Sequence, residues 1–333
     1  MEEKNKAELK LIRMDEVPEE EVEWLLYPFI PFGKVTIIQG DPGEGKTTLA
    51  LQIIAKLTCG EAVLPFDKSG TVLDIEDMEE PDRKPMNVLY QTAEDGLGDT
   101  IKPRLTAAGA DCSKVLVIDD KEKALTMMDS RLEEAIVKTS AKLAVLDPIQ
   151  GYLGADVDMH RANEIRPVMK RISTLAEKYH CAIVLIGHMN KASGGKSSYR
   201  GLGSIDFQAA ARSVLIVGRI KDDPDVRVVC QVKSSLAPEA KPIAFRLDKQ
   251  NGFEWTGEYD ISVDDLLSGE CRGQKSKSAK EFLKEILADG QMACKDIEEE
   301  AKDRGIRKKT LWNAKKELNV DSVKIGNQWY WTL

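Results

Sequence analysis

The sequence predicts an α/β protein, with a mainly parallel sheet covered by helices on both faces and a small helical unit at the C-terminus. Three observations carry this. Apolar runs of strand length alternate with helical stretches along most of the chain, the signature of consecutive βαβ units. The first such run, Val35-Thr36-Ile37-Ile38, leads into a glycine-rich segment that opens a helix. Residues 279–333 then hold three short helical periods and a closing strand pair.

Residues 1–31 form an acidic lead-in, with nine acidic against four basic side chains. The Glu19–Glu23 run reads as a solvated face, and the aromatic cluster Trp24 to Pro31 packs the segment onto the adjoining domain. Phe32-Gly33-Lys34 turns the chain into the first core strand. The segment Gly40, Asp41, Pro42, Gly43, Glu44, Gly45, Lys46, Thr47 and Thr48 matches G-x-x-x-x-G-K-[ST]. With a strand before it and the apolar helix Leu49–Ala55 after it, it is a phosphate cradle. Backbone N–H groups curl around the anion and the helix N-terminus adds partial positive charge. Lys46 is expected to reach the β- and γ-phosphates, and the Thr47 hydroxyl to take one position on Mg²⁺. The implied ligands are ATP and Mg²⁺.

Between 60 and 85 lies one strand-like run, Thr71–Ile75, then a charged stretch that reads as a surface insertion. Asn87–Thr92 resumes the core sheet and delivers Ala93-Glu94-Asp95 at its carboxyl end. Helix 97–108, strand 114–118 and helix 130–140 come next. Lys142–Leu146 is an apolar strand ending in Asp147. Helix 162–180 places Ile165, Val168, Met169, Ile172, Leu175 and Ala176 on one face, and Cys181–Gly187 is a buried strand ending in His188. Strands are expected at 213–217, 226–232 and 242–247, the last two alternating as antiparallel edge strands do. This assigns residues 32–260 to one domain and 261–278, which is polar, to a linker. Helices near 279–288, 295–304 and 307–318 with hairpin 322–331 suggest a winged helix-turn-helix in 279–333.

Strand-terminal acids and a histidine lie where ligands bind in such sheets. Asp147 fits a Walker B acid holding Mg²⁺ through water beside Thr47, or else caps the next turn. Glu94 can orient and deprotonate the water that attacks the γ-phosphate; Asp95 is either the actor itself or a helix cap. His188 is either structural or a donor to the γ-phosphate. In the C-terminal unit, Ile306, Leu311, Ala314 and Leu318 face inward. That leaves Arg307, Lys308, Lys309, Lys315 and Lys316 for DNA phosphates or for solvent.

Bulk composition narrows the class. With 42% hydrophobic residues there is ample core; the net charge of −8 does not suggest a chain coated in nucleic acid, but the basic C-terminal segment can still bind DNA locally, so total charge decides nothing. No apolar run reaches the ~18 residues of a membrane helix. Glu2 and Glu3 depart from the basic start of a signal peptide, so a cytoplasmic location is expected. Six cysteines without any C-x-x-C pair argue for reduced, mostly buried thiols over zinc or disulfides.

The order of Gly40–Thr48, Ala93-Glu94-Asp95, Leu146-Asp147-Pro148, His188–Lys191, Arg200-Gly201 and Arg212 resembles the RecA-fold ATPases related to the plasmid replicative helicase RepA, over about 24–247. The resemblance implies a RecA-like P-loop core in a ring-shaped homo-oligomer, usually hexameric, with nucleotide bound between subunits. It implies Glu94 as the catalytic glutamate, His188 as nucleotide sensor and Arg212 as a finger reaching the neighbour's site. Lys233 aligns with a lysine also presented across the interface, whereas Ser235 replaces a second basic finger. The loop holding Lys191, Lys196 and Arg200, with Tyr199, lies where relatives track single-stranded DNA; it also reads as a plain surface connection. Three readings stand: a replicative helicase or single-stranded DNA translocase of a plasmid, phage or other mobile element; a recombination or repair ATPase related to RadA; and a nucleotide-switched DNA-binding initiator.

Overall fold

The computed structural model describes residues 9, 11–64, 84–189, 205–248, 252–268, 272–288, 290–304, 306, 308–326 and 328–333. The lead-in ends in a short hairpin, β1 (Trp24–Leu26) and β2 (Ile30–Pro31). Leu25, Leu26, Phe29 and Ile30 sink into the main core, so the apolar end of the lead-in does pack onto the domain it precedes. Next come β3 (Val35–Gly40), α1 (Lys46–Cys59), β4 (Val88–Thr92), α2 (Lys102–Ala107) and β5 (Val115–Leu116). They are followed by α3 (Ser130–Thr139), β6 (Leu143–Asp147), α4 (Ala162–Tyr179), β7 (Ala182–His188) and α5 (Ile205–Ala210). The sheet is completed by β8 (Ser213–Arg219), β9 (Val226–Ser234), β10 (Ile243–Asp248) and β11 (Gly252–Glu258).

These nine strands lie in the order β11-β10-β9-β8-β3-β7-β6-β4-β5. All pairings from β8 to β5 are parallel, and β8 through β11 are antiparallel. β3, β6 and β7 are central and buried on both faces, which is why they read as unbroken apolar runs. One core packs α1 and α2 against one face, and the other packs α3, α4 and α5 against the opposite face. The expected mainly parallel sheet with two helical layers is the observed one.

Several features differ from expectation. β5 is two residues long because Val115 and Leu116 alone pair with β4. β11 is an additional strand whose faces alternate exposed and half-buried; its Phe253 and Trp255 pack on Phe245. The 261–278 stretch holds helices: α6 (Val263–Ser268) is N-capped by Ser262, with Asp265 N donating to Ser262 Oγ at 3.1 Å. Leu266 of α6 is buried against Gly218, and α7 (Arg272–Ile286) begins before residue 279. The polar sequence of 261–278 concealed both helix starts, and Leu266 is the buried residue of α6. Finally, all five described cysteines are free, but only Cys181 and Cys230 are buried, with burial pushing both thiols up to about 12. The Thr71–Ile75 run lies outside the described residues.

Beyond α7, β12 (Met292–Ala293), α8 (Cys294–Asp303), α9 (Lys308–Glu317), β13 (Asp321–Ile325) and β14 (Gln328–Thr332) complete a unit of three helices and a three-stranded antiparallel sheet. Its separate core is built on Phe282, Leu283, Ile297, Leu311, Ala314 and Trp331.

Candidate nucleotide site

Parallel strands deliver their carboxyl ends to one edge of the sheet, and the chemistry-bearing residues gather there. At the end of β3 the backbone must turn tightly against β8. A Cβ on Gly40 would lie 2.3 Å from the Val217 carbonyl oxygen, so only glycine fits. Gly45 caps α1 at φ 91°, a left-handed conformation that leaves the first N–H groups of the helix facing the loop.

Lys46 is 5% exposed. Its ammonium donates to the carbonyls of Gly40 at 2.9 Å and Asp41 at 2.8 Å, and stands 3.4 Å from His188 Nδ1. Burial lowers its pKa, an effect opposed by the nearby carboxylates of Asp147, Glu44, Asp41 and Glu94. Asp147, 8% exposed, accepts from the Thr47 hydroxyl at 2.7 Å and from the Tyr90 hydroxyl at 3.1 Å. Desolvation raises its pKa, and these two hydrogen bonds partly offset the rise. Two hard oxygen donors side by side at the mouth of the glycine-rich loop suit Mg²⁺, which takes few protein ligands and completes its shell with water and phosphate oxygens.

Glu94 comes just after β4. Its carboxylate is exposed and lies 3.8 Å from His188 Nε2, whereas the adjacent Asp95 turns away to Arg104 at 3.3 Å. The structure therefore brings together Lys46, Thr47, Glu94, Asp147 and His188.

Arg212 and Lys233 are elsewhere. Arg212 precedes β8 and donates its backbone N–H to Val35 at the start of β3, five residues or about 17 Å from the glycine-rich loop. Lys233 is paired with Val214 on the same edge and donates to the carbonyls of Gln208 at 2.7 Å and Ala209 at 3.0 Å. Burial, then the charge of Arg212, lowers the Lys233 pKa. Neither cation serves the cradle of its own chain. Lys191, Lys196, Arg200 and Arg307 lie outside the described residues, as does the side chain of Lys309. Lys308 is paired with Glu298 at 2.9 Å. Lys315 lies over the rings of Trp312 and Trp331, and Lys316 is exposed.

Two residues escaped the sequence reading. Tyr90 sits inside an apolar strand, and a buried phenol needs a polar partner; that was the available signal. Arg219, ending β8, donates to the Gly43 carbonyl at 2.8 Å, a contact between segments 176 residues apart that no local pattern announces.

The AAA domain family profile matches residues 3–194, more than half of the sequence. The chain belongs to the AAA domain family. Its fold is accordingly that of a RecA-like P-loop core. The chain is 26% identical over 316 residues to the mitochondrial DNA repair protein recA homolog of Dictyostelium discoideum. That alignment covers 86% of this chain but 63% of the relative, less than two thirds of its length. Similarity to RecA of Delftia acidovorans is 24% over 283 residues, covering 77% of this chain and 70% of that protein. For RecA of Desulforapulum autotrophicum it is 26% over 280 residues, covering 76% and 73%. Among the described residues of this AAA protein, no helix is long and apolar enough to cross a membrane.

Proposed function

We propose that this AAA protein is a Mg²⁺-dependent ATPase that forms a ring and acts on DNA, as the RepA-like replicative helicase or single-stranded DNA translocase of a plasmid, phage or other mobile element. One observation carries this reading. Lys46, Thr47, Asp147, Glu94 and His188 converge at one sheet edge, while Arg212 and Lys233 occupy the opposite edge, where they can meet phosphate only in another copy. In this reading residues Gly40–Thr48 bind the triphosphate, and Thr47 and Asp147 hold the metal. Glu94 takes a proton from water as the oxygen bonds to the γ-phosphorus and the bond to ADP breaks. His188 links Glu94 to Lys46, a geometry suited to sensing the γ-phosphate. Bound Mg²⁺ supplies charge neutralisation for the triphosphate. Arg212 of a neighbour stabilises the charge of the transition state. Residues 279–333 are read as a winged helix, and the location as cytoplasmic.

The test is ATP hydrolysis by the full chain with and without single-stranded DNA, alongside native mass. Glu94→Gln is expected to lower kcat by about 10²–10⁴ while leaving nucleotide binding intact. Hydrolysis at the wild-type rate in that variant would remove Glu94 from the chemistry. A RadA-like recombination or repair role is the second reading, favoured by relatives named as RecA and DNA repair proteins. Electron microscopy separates the two: closed rings support the motor, extended filaments the recombinase.

A further inference from the structure

The C-terminal sheet carries a cleft that the nucleotide site does not use. Strand alternation puts Trp329 and Trp331 on one face of β14 and Gln328, Tyr330 and Thr332 on the other. Trp331 is 1% exposed and anchors the core with Leu311 and Ala314. Two residues toward the hairpin tip, Trp329 is 52% exposed. Trp312 of α9, 44% exposed, stands edge-on to Trp331 at 5.3 Å, its indole N–H held by Glu298 at 3.2 Å. The three indoles bound a cleft of about 470 Å³, the size of a small-ligand pocket.

Its charge is one-sided. Lys295 lines it, Lys315 Nζ lies 5.2 Å and 4.8 Å from the Trp312 and Trp331 rings, and Lys324 Nζ lies 6.0 Å from Trp329. Among the described residues, none that lines the cleft is acidic, and the nearby Glu298 is engaged by Lys308. A cationic guest would meet the Lys295 ammonium in the lining and those of Lys315 and Lys324 beside the rings, which disfavours the usual occupant of an aromatic cage. An apolar peptide would leave those ammonium groups without counter-charge. A nucleotide offers both a π-face for the indoles and a phosphate for the lysines.

We infer that this cleft binds an unpaired base of single-stranded nucleic acid, with Trp329 as the stacking platform and Lys295 and Lys324 on the flanking phosphates. The inference rests on the DNA-acting reading but not on the nucleotide site. It moves nucleic-acid contact from the exposed face of α9, where Lys308 is already paired, to the cleft beside the hairpin.

The test is fluorescence anisotropy of a fluorescein-labelled oligothymidylate with the full-length protein over a salt series. Trp329→Ala is expected to weaken binding by about 5- to 100-fold. The slope of log affinity against log salt should stay unchanged, because stacking releases no counterions. Trp329→Phe should restore most of the loss, which separates stacking from misfolding, and Lys324→Ala should reduce the slope by about 0.7. Wild-type affinity in Trp329→Ala overturns the inference; if the native mass of that variant also falls, the cleft belongs to a second copy. A wild-type chain that hydrolyses ATP yet fails to bind the oligonucleotide overturns the cleft while leaving the nucleotide site standing.

Discussion

The Thr47 hydroxyl donates to Asp147 Oδ2 at 2.7 Å, across 100 residues of sequence. The contact joins the first turn of α1 to the end of β6, and parallel pairing makes it possible. β3, β7 and β6 are adjacent and in register, so their carboxyl ends reach one level. The same oxygen of Asp147 accepts from Tyr90 on the next strand. A carboxylate that is nearly inaccessible and raised in pKa is thus kept pointing at the cradle by two hydroxyls.

Removing one hydroxyl tests that arrangement. Tyr90→Phe deletes a hydrogen bond to a charged group without changing the packing volume, and should cost about 1.5–3 kcal/mol of stability. Thermal or urea unfolding reads the loss. Hydrolysis should fall several-fold, since Asp147 keeps only the Thr47 contact.

Arg219 clasps the glycine-rich loop through the Gly43 carbonyl. Arg219→Ala should leave Tm nearly unchanged, because the guanidinium is partly exposed, and raise the KM for ATP several-fold by loosening the cradle. Nucleotide titration against steady-state kinetics checks this.

Arg212 and the glycine-rich loop lie at opposite ends of β8 and β3, so the proposed shared site pairs them between copies. Lys46→Ala and Arg212→Ala should each abolish hydrolysis, the second by about 10³–10⁵ in kcat. Mixing the two should restore measurable turnover, since a wild-type cradle then meets a wild-type arginine at some seams. No recovery on mixing would count against a shared site.

Asp129 caps α3, accepting from Arg131 N at 2.9 Å and from the Arg131 guanidinium, which holds its carboxyl down at about 2. Depressed in the folded state, this group stabilises above the ordinary carboxylate range, and the contribution is lost as pH falls toward 2. Asp129→Ala should therefore cost about 1 kcal/mol near neutrality. The gap to wild type should close by about pH 2, as pH-dependent melting would show.

The glycine-rich loop was legible because its signal is local: Gly40 to Thr48 are contiguous, and glycine, lysine and threonine at that spacing form a recognised motif. Glu94, Asp147 and His188 could be singled out because each ends an apolar run, and strand ends are where such sheets bind ligands. The helix Val263–Ser268 and the start of the helix Arg272–Ile286 were hidden because their sequence is mostly polar, and β11 because its half-buried positions alternate with exposed ones.

Sequence alone determined the fold class and singled out the glycine-rich loop with the strand-terminal acids beside it, since periodicity and motif spacing are properties of neighbouring residues. Tertiary structure decided the rest. It chose Tyr90 as the partner of Asp147, turned Asp95 to Arg104 instead of the cradle, set Arg219 on the loop, and put Arg212 at the far end of the sheet. The Asp95–Arg104 pair spans only nine residues, but the others depend on which strands lie side by side and in what register, and that order is set by packing between segments tens to hundreds of residues apart.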